Sequence, residues 1–86
     1  MVVKIQPNPF QFNTTLLVDL SITEKVFIHL FDQMGRKVQT VLNGKLLKQG
    51  PHTFNVSANH LANGFYFLQL QTATQGVTKK LLVTGK

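Results

Sequence analysis

The chain has 86 residues, of which 43% are hydrophobic and 14% are charged, so it has the size and composition of one folded domain. It contains no cysteine, which excludes disulfide bonds and thiolate metal sites. Nine basic residues against three acidic ones give a formal net charge of +6, but the basic residues are scattered along the chain. We interpret them as a solvated surface that limits sheet aggregation, and expect no nucleic acid partner. No apolar segment is long enough to predict membrane insertion.

Short strands separated by turn signals predict an all-β fold. Val2 to Gln6 is the first predicted strand, and Pro7 and Pro9 end it because proline lacks a backbone donor. The second covers Phe12 to Leu20, and the third covers Val26 to Phe31. One face of the second strand is expected to point inward because its residues alternate with polar ones. This face contains Phe12, Thr14, Leu16, Val18 and Leu20.

Turn signals divide the rest of the chain. The sequence Asp32-Gln33-Met34-Gly35 predicts a tight turn in which Asp32 caps the backbone and Gly35 takes a positive φ. A strand over Arg36–Leu42 follows, and the dipeptide Asn43-Gly44 predicts a second turn. The remaining predicted strands are His52 to Val56, Phe65 to Gln71 and Val77 to Thr84.

The spacing Leu61-x-x-Gly64-x-Tyr66 is typical of a tyrosine corner, in which a Tyr hydroxyl bonds back to the loop before its strand. Seven predicted strands fit an immunoglobulin-like antiparallel β-sandwich, with residues 1–86 forming a single domain. Because Met1 directly precedes strand-like sequence, we expect the domain to be excised from a longer secreted protein.

The sequence shows no arrangement that predicts an enzyme, a cofactor or a metal site. The three acidic residues are expected on an exposed face, in a loop and in a turn, so they form no pair for general acid–base chemistry. The three histidines lack the close spacing of metal ligands. The residues considered are Asp19, Glu24 and Asp32, and His29, His52 and His60.

Five short motifs together cover almost the whole chain. In order, they are Pro7-Asn8-Pro9-Phe10, Leu30 to Val38, Gly50-x-His52, Leu61-x-x-Gly64-x-Tyr66 and Thr78 to Val83. In this order they resemble the type A C-terminal sorting domain of the type IX secretion system of Bacteroidetes, also called the Por secretion system. Gln6 and Phe31 depart from the family, since tyrosine is more usual at both positions. Both changes keep the turn chemistry and remove a hydroxyl.

The resemblance implies a secretion signal. Such a domain directs its cargo protein from the periplasm through the outer membrane to the cell surface or the medium. The implied partners are the type IX translocon, outer-membrane shuttle proteins and a sortase-like C-terminal signal peptidase that removes the domain.

The final strand is the main candidate for recognition, because a terminal strand at a sheet edge offers unpaired backbone groups for strand addition. The same edge could pair two copies of the isolated domain into a homodimer. Leu81 and Val83 have an alternative role, which is to fill the core. The predicted recognition segment is Lys79, Lys80, Leu81, Leu82 and Val83, beside a surface formed by Gly64, Tyr66, Asp32, Gly35 and Arg36. The predicted structural motif residues are Pro7, Asn8, Pro9, Phe10 and Leu61.

Two other functions stay open from the sequence. A carbohydrate-binding or adhesive module could use the same sandwich, but it would need an exposed aromatic platform. The chain has no Trp, and the corner motif is expected to bury its single tyrosine, Tyr66. A basic nucleic-acid-binding domain is the second alternative, and its binding would depend strongly on salt.

Overall fold

The computed structural model describes all 86 residues and contains seven β-strands and no helix. Alternation of apolar and polar residues, interrupted by Pro and Gly, accounts for this all-β structure. The strands are β1 (Val2–Gln6), β2 (Asn13–Leu20), β3 (Glu24–Asp32), β4 (Lys37–Leu47), β5 (Gly50–Ser57), β6 (Gly64–Gln71) and β7 (Gly76–Val83). The predicted immunoglobulin-like β-sandwich of seven strands is confirmed.

The strands form two sheets in which all neighbouring strands are antiparallel. The three-stranded sheet has the order β1-β2-β5, and the four-stranded sheet has the order β4-β3-β6-β7. The chain passes between the sheets after β2, β4 and β5, and the other connections join neighbouring strands of one sheet. β4 and β7 are therefore the edge strands of the larger sheet.

The core lies between the two sheets and contains 16 buried hydrophobic residues. Leu16 and Val18 of β2 and Ile28 and Leu30 of β3 belong to this core, and all four side chains are 0% exposed. Each such burial stabilises the folded state by about 1.5–3 kcal/mol, because apolar surface is removed from water. This alternation is what the sequence predicted for β2.

Two residues are placed differently from the prediction. Phe12 was expected inside, but it precedes β2 and its side chain is 52% exposed. Its carbonyl accepts a hydrogen bond from the Ala58 N–H at 2.7 Å, so the backbone of Phe12 is held while its ring points outward. Glu24 was expected in a loop but is the first residue of β3 and is buried. The Thr74 hydroxyl donates to its carboxyl group at 2.9 Å, which gives this buried polar group a hydrogen-bond partner.

The predicted turn at Asn43-Gly44 is wrong, since β4 continues through both residues to Leu47. The strand pairing skips one residue here, with Val26 opposite Lys45 and Phe27 opposite Asn43. Gly44, with a φ of 78°, is the extra residue of a β-bulge. A turn dipeptide supplies the same positive φ that a bulge requires, which explains the error.

Candidate functional site

The terminal strand β7 pairs with β6 on one side and is an edge strand, as predicted. Two of its predicted recognition residues, Leu81 and Val83, lie in the core and are 0% and 1% exposed. Their side chains are therefore inaccessible in the folded domain, and they hold β7 against the other sheet. Lys79 is exposed and lines the open seam between the sheets together with Lys4 of β1.

The motif Pro7 to Phe10 lies along the outer edge of β7, and we call it the edge clasp. The Asn8 side-chain amide donates to the Lys80 carbonyl at 3.0 Å. The Asn8 side-chain oxygen accepts from the Leu82 N–H, also at 3.0 Å. One amide side chain thus makes the two hydrogen bonds that a neighbouring strand would make. The peptide bonds before Pro7 and Pro9 are both cis.

Phe10 extends the edge clasp through its backbone. Its N–H donates to the Leu82 carbonyl at 3.0 Å, and its carbonyl accepts from the Thr84 N–H at 2.9 Å. The Phe10 ring is buried in the core, which anchors this end of the clasp. At the other end, the Thr14 hydroxyl donates to the Pro7 carbonyl at 2.5 Å.

The free edge predicted for the final strand is therefore partly covered, which corrects the prediction. From the Lys80 carbonyl to Thr84, the outward backbone groups already bind the edge clasp. Along an antiparallel edge strand, the backbone N–H and C=O groups of every second residue point away from the sheet. On β7 the groups of this kind that stay free are those of Thr78 and the N–H of Lys80. Strand addition to the covered half requires the clasp to leave.

The predicted tyrosine corner is present beside the end of β7. The Tyr66 hydroxyl donates to the Ala62 carbonyl at 2.7 Å, and the ring is buried. Gly64 opens β6 with a φ of 148°, a backbone conformation that favours glycine. Leu61 packs against the core from the same loop. The corner therefore fixes the loop through which the chain enters β6.

The predicted turn after β3 is also present and is held by Asp32. One oxygen of its carboxylate accepts from the Met34 and Arg36 N–H groups, both at 2.9 Å. The other oxygen accepts from the Arg36 guanidinium, also at 2.9 Å. Gly35 takes a φ of 81°. The hydrogen bond from the Arg36 backbone, helped by the guanidinium and the Met34 N–H, lowers the pKa of Asp32.

The structure brings these predicted residues to one end of the four-stranded sheet. Tyr66 lies opposite Asp32 on one side and Leu81 on the other, and Gly64 lies opposite Val83. The Arg36 side chain is 77% exposed and extends from the same end. The turn, the corner and the terminal strand therefore lie on one surface. Tyr66, Leu81 and Val83 are buried below this surface and support it by packing in the core.

The outer face of the four-stranded sheet carries aromatic side chains that the sequence analysis did not single out. It presents Phe27 and Phe31 from β3, and Phe65 and Phe67 from β6. Phe27 is 37% exposed and Phe65 is 39% exposed. The Lys80 ammonium lies 4.2 Å from the centre of the Phe65 ring. The signal for this face was available, because β3 and β6 are rich in apolar residues at both alternating positions.

His29 lies on the same outer face, where its ring packs edge-on against Phe31 with centroids 6.4 Å apart. Its Nδ1 is 3.0 Å from the Thr40 hydroxyl oxygen. Partial burial and, to a lesser extent, the positive charge of Lys37 lower the pKa of His29. This shift favours the uncharged imidazole.

The structure contains neither a cluster of metal-binding side chains nor an unpaired buried polar side-chain atom. No three His, Asp or Glu side chains lie close enough together to hold a metal ion. Every buried side-chain nitrogen and oxygen has a hydrogen-bond partner. No helix is present that is long and apolar enough to cross a lipid bilayer.

The molecule is thus a small antiparallel β-sandwich whose distinctive features all lie on one sheet, its terminal strand and the segment that clasps it. The family model for the secretion system C-terminal sorting domain matches residues 4–84. The chain belongs to this family, the C-terminal sorting domains of the type IX secretion system. A search of curated proteins found no significant match. Members of the family are sorting signals for export to the outer membrane, the cell surface or the medium.

Proposed function

We propose that this domain acts as a folded, non-catalytic signal at the C-terminal end of a cargo protein. A separate signal delivers the cargo to the periplasm, where shuttle proteins and the type IX translocon bind the domain. A sortase-like peptidase then removes it. The family match over residues 4–84 is the observation that carries this proposal.

In the terminal strand, the partners can recognise mainly side chains, because much of the backbone is already hydrogen-bonded. The edge clasp occupies the backbone groups of β7 beyond the Lys80 carbonyl, so strand addition is blocked there while the domain is intact. Lys79 and Lys80 are exposed, and Leu82 is half-buried. We assign the contact with the partners to these three side chains. Leu81 and Val83 support them from the core.

The chemistry of removal belongs to the peptidase. No three His, Asp or Glu side chains of the domain lie close enough together to hold a metal ion. Peptide-bond cleavage needs at least a nucleophile and a proton acceptor, and we assign both to the peptidase. The role assigned to the domain is therefore to bring the peptidase to the cargo.

The test is export of a periplasm-targeted fluorescent reporter fused to residues 1–86. It is expressed in a type IX-competent bacterium, in the same strain without the translocon and in the same strain without the peptidase. We expect surface or medium fluorescence in the first strain and retention in the second. In the third strain the exported reporter should keep the mass of the uncleaved fusion.

Export that persists without the translocon would contradict the sorting function. A reporter of cleaved mass in the peptidase-free strain would contradict only the proposed removal step. Shortening the fusion at Gly76 is a poor control, because it removes Leu81 and Val83 from the core and unfolds the domain. The reporter without the domain, in all three strains, is the suitable baseline.

A further inference from the structure

We propose that the outer face of the four-stranded sheet is the docking surface for an acidic protein partner in sorting. This inference rests on the proposed function and identifies where the partner binds and what its surface must contain. We call this surface the aromatic face. It consists of Phe27, Phe31, Phe65 and Phe67 with Lys37 and Lys80 at its sides.

The strand register arranges the aromatic face in rows across the sheet. Phe31 of β3 lies opposite Lys37 of β4 on one side and Phe67 of β6 on the other. Phe67 in turn lies opposite Lys80 of β7. Directly opposed residues point to the same face, so the row reads lysine, phenylalanine, phenylalanine, lysine. The centre of the face is apolar and both sides are cationic.

This composition is unusual for a sheet face without a partner. In a two-layer sandwich the outer residues of antiparallel strands are normally polar, because they face water. Here four of the seven phenylalanines of the chain lie on the outer face of one sheet. Phe27 and Phe65 are more than one-third exposed. Phe31 and Phe67 lie side by side between these two rings, with His29 and Gln69 separating them from Phe27. Exposed apolar surface with a polar rim is typical of an interaction site.

Charge identifies the chemistry of the partner. None of the three carboxylates lies on the aromatic face: Asp19 is on the other sheet, Glu24 is buried and Asp32 is bonded to Arg36. The pKa of the adjacent His29 is lowered, which favours its uncharged form. The face therefore carries only positive charge. A second copy of the chain would bring lysines against lysines, whereas an acidic surface would be attracted.

The arrangement of the rings favours a protein over a nucleic acid. His29 and Phe31 meet at an angle of 70°, so they do not offer two parallel ring faces for stacked bases. The Lys80 ammonium already covers the Phe65 ring. An apolar centre with a charged rim is instead the common organisation of protein interfaces.

The size of the face suits a short-lived contact. Standard strand spacings make it roughly 14 Å wide across the four strands and about 20 Å long from the level of Phe27 to the level of Phe65. This footprint is smaller than the ~800 Å² that each partner buries in a stable complex. A sorting signal has to be released after export, and a weak contact permits that release. Lys80 and Leu82 of the terminal strand lie on this face, which joins it to the predicted recognition segment.

The test reverses charge on the aromatic face in the reporter fusion. One variant carries Lys37→Glu and Lys80→Glu. Its matched control carries Lys45→Glu and Lys48→Glu, at two exposed lysines outside the face. Both variants lower the formal net charge from +6 by four units. We expect export to fall about tenfold or more for the face variant and to stay at the wild-type level for the control.

A third variant, Lys37→Arg with Lys80→Arg, keeps both positive charges and should be exported at the wild-type level. Circular dichroism melting of the purified domains verifies that each variant folds. Wild-type export of the folded face variant would overturn the inference while leaving the sorting function intact. An equal loss in the control would also overturn it, because net charge alone would then explain the effect. If the unmutated fusion is not exported in the competent strain, the proposed sorting function itself is contradicted.

Purified wild-type domain is also titrated with polyglutamate, polygalacturonate and an oligothymidylate. The inference predicts binding to polyglutamate that weakens as salt rises and that the face variant loses. Preference for polygalacturonate would overturn it in favour of an acidic glycan. Preference for the oligothymidylate would overturn it in favour of a nucleic acid.

Discussion

Replacement of Asn8 by Ala tests whether the edge clasp stabilises the terminal strand. The change removes both hydrogen bonds from the Asn8 side chain, to the Lys80 carbonyl and from the Leu82 N–H. A neutral hydrogen bond contributes about 0.5–1.5 kcal/mol net. Because these groups are exposed and water can replace the amide, we expect a loss of about 1–2 kcal/mol in the free energy of unfolding. A domain of this size should then melt roughly 5–15 °C lower.

Urea unfolding of the purified domain measures the loss, with Asn59→Ala as the control because Asn59 is exposed and its side chain makes no hydrogen bond within the domain. Amide hydrogen exchange locates the effect. The Leu82 amide, which donates to Asn8, should lose protection, while the Thr84 amide, which donates to Phe10, should keep more of it. A stability change below about 0.3 kcal/mol, with unchanged Leu82 protection, would refute the role of the clasp.

Three further predictions concern the corner, the bulge and the turn. Tyr66→Phe removes the hydrogen bond to the loop and should lower the free energy of unfolding by about 1 kcal/mol, measured by urea unfolding; no change would mean the hydroxyl is dispensable. Gly44→Ala should destabilise more than Gly35→Ala in the same assay. Both glycines have positive φ, but only at position 44 would a Cβ come within 2.9 Å of the Phe27 ring. Asp32 has a pKa below its ordinary value of 3.8, so its stabilising effect is present above that pH and lost as pH falls through the lowered pKa. Asp32→Asn should therefore lower the melting temperature at neutral pH and flatten the acid limb of its pH dependence; an unchanged acid limb would contradict the assignment.

The sandwich could be predicted because turn signals separate short strands, and because β2 alternates between core and outer residues. Leu16 and Val18 on β2 could be assigned to the core from sequence alone. The bounds of β4 could not, because Asn43-Gly44 satisfies a turn and a bulge equally well. Only the pairing with β3 decides between them, and pairing is a long-range property.

The candidate site was predictable in its local parts. Tyr66 and the Asp32 turn form hydrogen bonds within four residues, so short motifs identify them. The edge clasp and the aromatic face join residues that are distant in sequence. Asn8 was recognised as part of a motif, but its partner strand was not. The aromatic face depends on which strands are neighbours, and the sequence does not specify that order.

Asn8 and Leu82 are 74 positions apart in the sequence yet share a hydrogen bond. Contacts of such long range form late in folding, because the entropy of closing the intervening loop must be overcome first. The terminal strand is also the last of the seven strands of the domain to be synthesised. A chain interrupted before β7 therefore leaves both its core and its clasp incomplete. The clasp can thus form only after the whole domain has been synthesised and folded. If export depends on the clasp, incomplete chains would not be exported.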